Sequence, residues 1–78
     1  MNLAVMTRIT QSEENRGEGS TAPHRIVLRR NDKGEYVTHW HNTQDGGYYF
    51  GHYFTDLAEA VADFKARCAK AGVREDRR

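Results

Sequence analysis

Four histidines, one cysteine and a dense run of aromatic rings hold what chemistry this 78-residue chain could perform. The histidines are His24, His39, His41 and His52. Imidazoles brought together on a sheet are candidate zinc ligands, or the base and acid of a small ribonuclease. The metal pattern is thin, because no cysteine accompanies the cluster and only His39-Trp40-His41 has tight spacing. Acid–base work on a phosphate ester also wants a positioned cation, and Arg30 is the only one suggested nearby. The reading favoured for all four is structural: each at the rim of a core, with one hydrogen bond and its other edge in water. Cys68 falls on an apolar helix stripe, where a cysteine acts as a small hydrophobe. A single cysteine forms no internal disulfide framework and suits a reducing, cytoplasmic setting. Gly46-Gly47 reads as turn chemistry, since a phosphate-cradling loop would lead directly into a helix. No cofactor signature is recognisable and no catalytic residue is assigned.

The aromatic run carries more weight. Residues 36–54 (YVTHWHNTQDGGYYFGHYF) hold seven of the eight aromatics and three of the four histidines. Strand side chains alternate between faces, so these rings cannot all enter one core. Surplus exposed aromatics mark a binding surface.

The elements that must position them follow from local signals. His24–Arg30 is β-branched and aliphatic, a strand. Asn31-Asp32-Lys33-Gly34 has the pattern of a type I turn closed by a left-handed glycine. A second strand runs from Glu35 to Asn42, Gln44-Asp45-Gly46-Gly47 turns the chain, and Tyr48–Phe54 is a third strand. Thr55 is the expected N-cap of a helix over residues 56–71, with Leu57, Val61, Phe64 and Cys68 on one face and Gly72 as its stop. The fold class is therefore α+β: a three-stranded antiparallel meander with one C-terminal helix packed on one face. Leu3–Ile9 fits either a fourth, N-terminal strand or a ragged leader. Residues 1–23 are expected to be an N-terminal segment ending in a flexible linker from Gln11 to Pro23, residues 24–72 the folded domain, and residues 73–78 a frayed tail.

Closing the first hairpin at Asn31–Gly34 pairs Arg30 with Glu35, Leu28 with Val37, Ile26 with His39 and His24 with His41. In the second hairpin His39 faces either Phe50 or His52. Both registers put all four histidines on one face with Ile26, Leu28, Val37, Tyr48, Phe50 and Phe54. Arg25, Arg29, Tyr36, Trp40, Tyr49 and Tyr53 then share the other with Val27, Thr38 and Gly51. The aliphatic residues direct the helix to the first face, leaving an aromatic–arginine surface as the expected binding site. Trp40 is its expected anchor, since aromatics beside arginine dominate interface energetics.

Composition narrows the partner. Twelve Lys and Arg against eleven Asp and Glu give a net charge of +1, which favours neither nucleic acid nor an anionic membrane. No stretch reaches the roughly 20 apolar residues of a membrane span, and MNLAVMTRIT is too short and too polar for a signal peptide. A core this small is near the limit of independent stability, so a partner or a homodimer is expected. In the order of its elements alone, the chain resembles small antitoxin domains with a degraded ribonuclease H core. NTQDGG stands where those carry a proline-glycine segment, and no functional residue carries over. The expected function is a non-catalytic binding or regulatory module acting on a protein, of the kind a phage or plasmid uses as an inhibitor. Single-stranded nucleic-acid binding through the same face is second, and a histidine metalloprotein or ribonuclease third.

Overall fold

The computed structural model describes residues 6–76. Four strands and one helix follow in order: β1 (Thr7–Gln11), β2 (His24–Arg30), β3 (Tyr36–Asn42), β4 (Tyr48–Phe54) and α1 (Leu57–Ala71). The strands form one antiparallel sheet in the order β1-β2-β3-β4, so the N-terminal strand is real and the meander has four members. Among the described residues it spans Thr7–Gln11, running two residues beyond the expected end at Ile9; residues 3–5 of the expected strand lie outside the described residues.

Helix α1 packs across one sheet face. Its N-cap is Asp56, one residue beyond the expected Thr55, with the Asp56 side chain accepting from the Ala58 N–H at 3.0 Å. Gly72 closes it at φ +71, a left-handed cap that an L side chain adopts only with strain. The buried stripe is Ala60, Phe64 and Cys68, spaced by four, with Val61 and Ala71 packed beside it, so of the residues expected on this face only Leu57 is exposed. Phe64 remains its centre. It packs with Ala60, Cys68, Ile26 and Leu28, and Tyr36, Trp40, Phe54, Val61, Ala71 and Val73 close the rim.

The β2–β3 register differs from expectation by one residue. His24 pairs with Asn42, Ile26 with Trp40, Val27 with His39, Leu28 with Thr38 and Arg30 with Tyr36. The turn chemistry is as read: the Gly34 N–H reaches the Asn31 carbonyl at 3.1 Å, and Gly34 sits at φ +82. What sequence pairing missed is that this glycine is a bulge, so Asn31 itself pairs with Glu35 through an N–H···O bond of 2.9 Å. One extra residue on the β3 side turns all of β3 over, because side-chain direction alternates with period two. Tyr36, Thr38 and Trp40 therefore face the helix, while Val37, His39 and His41 face away.

In the second hairpin His41 pairs with Tyr48 and Trp40 with Tyr49, as the first expected register requires. A bulge then intervenes, and Thr38 pairs with His52, Val37 with Tyr53 and Tyr36 with Phe54. Phe50, at φ +57, is the bulged residue.

The segment expected to be a flexible linker is docked. Ser12 is fully buried, its N–H donating to the Ile26 carbonyl at 2.8 Å and its Oγ accepting from the Ile26 N–H at 2.9 Å. Asn15 and His24 exchange two backbone hydrogen bonds, and Asn15 Nδ2 donates to the Ala71 carbonyl at 2.9 Å. Of the tail expected to fray, residues 73–76 run beside this segment: the Glu13 N–H reaches the Arg74 carbonyl and the Asp76 N–H reaches the Gln11 carbonyl, each at 2.8 Å. Residues 77–78 lie outside the described residues. Among the described residues no helix is long and apolar enough to cross a membrane.

Candidate binding surfaces

The expected six-residue surface divides between two faces. Arg25, Arg29 and Tyr53 lie on the open face, away from the helix. Trp40 and Tyr36 lie on the helix side, half-buried against the core, so Trp40 is a packing residue first. Its indole stacks on His24 with centroids 4.0 Å apart. Tyr49 pairs with Trp40 at the sheet margin, 6.5 Å between ring centroids, and its hydroxyl donates to Asp45 at 2.8 Å. The slipped register is the physical reason for the division.

The histidines divide in the same way. His24 and His52 are on the helix side, His39 and His41 on the open face. Among the described residues, no three His, Cys, Asp or Glu side chains converge on a metal site. His24 is buried, with Nδ1 donating to the Ala22 carbonyl at 2.8 Å. His52 donates from Nδ1 to Asp63 at 3.0 Å, and Arg67 Nη2 lies 3.2 Å from its Nε2, which places the proton on Nδ1. Burial raises the Asp63 pKa, but the hydrogen bonds from Thr38 and His52 and the charges of His52 and Arg67 outweigh it and leave the carboxyl below its usual value. Arg67 also donates to the Phe50 carbonyl at 2.5 Å, tying α1 to the bulge. Cys68 is buried and its thiol is pushed up to about 11, first by burial and then by Glu75, the opposite of nucleophile activation.

Two surfaces remain. The first is the β4 margin. Tyr48, Tyr49, Phe50 and Tyr53 are all exposed, Phe50 most at 71%. Phe50 touches the Trp40 and Tyr49 rings at centroid distances of 6.1 and 6.3 Å. Behind it a cleft of about 770 Å³ opens between β4 and the C-terminal half of α1, with Trp40 and Phe50 on one side and Arg67 and Lys70 on the other. No Asp, Glu, Lys or Arg occurs between Tyr48 and Phe54.

The second is the open face. Here the Tyr48 ring carries His41 stacked at 4.2 Å and the Arg29 guanidinium 3.8 Å from its centroid, with His39 edge-on at 5.3 Å. Val27, Val37 and His39 are buried on this side without any helix over them. Gly51 lies beside these rings: a Cβ there would come into ordinary contact with Tyr53 at 3.4 Å and His39 Nδ1 at 3.5 Å. Sequence reasoning missed Tyr48, Phe50, His41 and Arg8 as surface candidates. The glycine inside a strand, Gly51, was the available signal for a bulge at Phe50. Against known protein families, curated proteins and solved structures alike, the chain has no match.

Proposed function

We propose that this chain is a non-catalytic protein-binding module whose contact element is β4, with an extended segment of a partner protein pairing along its free edge. Phe50 is the observation that carries this reading. A bulky residue at positive φ stores strain, and here the strained residue presents most of its ring to water, held within the fold only by the Arg67 bond to its carbonyl and the approaches to Trp40 and Tyr49. A partner covering that ring would repay both costs. On either side of the bulge at Phe50, whose carbonyl Arg67 holds, the edge is open to main-chain pairing. It carries no proline or lysine to blunt it, and its aromatics offer alternate side-chain contacts to an added strand. The lack of formal charge along β4 favours a protein over a phosphate backbone at this site.

The test compares the wild type with Phe50→Gly, which keeps the bulge conformation and removes the ring. Sedimentation equilibrium reports self-association, the case in which the partner strand is β4 of a second copy. Affinity capture from the source cell, followed by hydrogen exchange on the complex, reports another partner. The expected result is slowed exchange of β4 amides in the complex and loss of the complex in Phe50→Gly. A complex unaffected by Phe50→Gly, with β4 amides exchanging as in the free protein, would overturn the assignment.

A further inference from the structure

The open sheet face holds a second site, centred on β1 and β2 and sharing Tyr48 with the β4 margin. Its strand positions are Arg8 and Gln11 from β1, Arg25, Val27 and Arg29 from β2, Val37, His39 and His41 from β3, and Tyr48, Gly51 and Tyr53 from β4. Three arginines and no carboxylate occupy them, although the whole chain is nearly neutral. Arg25 is satisfied, donating to the Ser12 carbonyl at 2.8 Å and lying 3.6 Å from Asp76. Arg8 and Arg29 are different. They stand directly opposite one another across β1 and β2, and neither forms an ion pair among the described residues. Like charges in such a cross-strand pair repel, so the arrangement is unfavourable unless something negative lies between them.

Two further observations point to an acceptor. Arg29 Nε, a donor in every protonation state of the guanidinium, is buried with no hydrogen-bond partner. A cleft of about 360 Å³ opens here, lined by Arg8, Gln11, Arg29, His41 and Tyr48. Its polar groups are predominantly donors: two guanidinium forks, an amide and a phenol. The Arg29 plane is held by its contact with the Tyr48 ring, so its fork is presented in a fixed orientation.

We infer that Arg8 and Arg29 form a binding site for a phosphate group, with Gln11 and Tyr48 as flanking donors. Two forks and two neutral donors exceed what the two oxygens of a carboxylate can accept, and they match the terminal oxygens of a phosphate. The Tyr48 ring already contacts His41 and Arg29, so recognition rests on the phosphate and not on a stacked base.

The group could come from free phosphate, a nucleotide or a nucleic-acid strand, and three probes separate these sources. The full chain, labelled with nitrogen-15, is titrated with inorganic phosphate, with adenosine monophosphate and with a single-stranded oligouridylate, against sodium chloride at matched ionic strength. Saturable shifts of the Arg29 Nε–H and of the Arg8 and Gln11 amides are expected with at least one probe and not with chloride. Arg8→Gln, at an exposed position, should weaken binding by roughly tenfold or more, while Arg8→Lys retains part of it. Equal affinity for all three probes assigns the site to the phosphate group alone. A clear preference for adenosine monophosphate assigns it to a nucleotide. Tighter oligonucleotide binding with a steep salt dependence assigns it to a strand. No saturable shift with any probe, or shifts that persist undiminished in a folded Arg8→Gln protein, would overturn the site.

Discussion

Phe50 combines a backbone in the left-handed region with a ring that is 71% exposed. Left-handed backbone costs an L residue about 1–2 kcal/mol, a penalty glycine escapes. The ring offsets little of this, since its aromatic contacts are one edge-on and one tilted approach, each at more than 6 Å between centroids. Phe50→Gly should therefore raise stability by about 1 kcal/mol in the isolated protein even as it removes the proposed partner anchor. Chemical denaturation checks the first effect, and a lower denaturation midpoint would mean that the ring packs more than its exposure shows. His39 is set by its surroundings in the opposite sense. Burial first, and then the charges of Arg29, Arg67 and His41, push its pKa down to about 4. In an unfolded chain the same imidazole titrates near 6.5. Between about 6.5 and 4 the unfolded state binds the proton and the folded state refuses it, so stability falls as pH drops through that window. The thermal midpoint should decline from neutral pH to about 4.5, and less steeply in His39→Gln. Identical slopes in the two proteins would assign the acid loss to other groups.

Secondary structure was largely legible in the sequence, and the pairing between elements was not. β-Branched runs, two glycine turns and a capped apolar helix stripe suffice to draw the meander and α1. Register depends on a finer feature, whether a turn glycine lies inside the loop or forms a bulge beside it. Asn31-Asp32-Lys33-Gly34 supports both, and the two solutions place Trp40 on opposite faces. The structure selects the bulge because that choice buries Thr38 and the flank of Trp40 under α1, where Thr38 Oγ1 donates to Asp63 at 2.6 Å. The candidate surface divided for this reason: its β2 members and Tyr53 were placed correctly, its β3 members were turned over. Gly34 bears that choice. A Cβ there meets only Arg30 Nη2 at 3.8 Å, so Gly34→Ala introduces no clash, only a left-handed alanine at φ +82. The expected loss is about 1–2 kcal/mol, all of it conformational. Gly34→Asn should recover part of it, because asparagine tolerates this region better. Equal stability of all three proteins would show that the hairpin reaches its register without the bulge.

The two ends of the described chain are fastened to each other, and this is the part least visible in the sequence. Gln11–Pro23 contains no large apolar residue, so a reading based on apolar area assigns it no role in the fold. It is held by hydrogen bonds instead. Ser12 lies between two segments, with Ile26 of β2 on one side, residues 74–76 of the tail on the other, and the Arg25 guanidinium, also from β2, on its carbonyl. Arg25 then reaches Asp76, and Thr10 Oγ1 donates to Glu75 at 2.5 Å, so the segment and the tail share partners. Coupled in this way, they should open as one unit. Ser12→Ala leaves the buried Ile26 N–H without its acceptor, a loss of about 1–3 kcal/mol. The amides of Glu13 and Asp76 donate across this junction, and their exchange should accelerate together in the variant, ahead of the β3 amides. Deleting residues 1–16 removes β1 and the Asn15 bond to the helix end, and should lower the thermal midpoint well beyond Ser12→Ala. A truncated protein as stable as the full chain, or Glu13 and Asp76 amides that exchange freely in the wild type, would show that the core of β2–β4 and α1 stands alone.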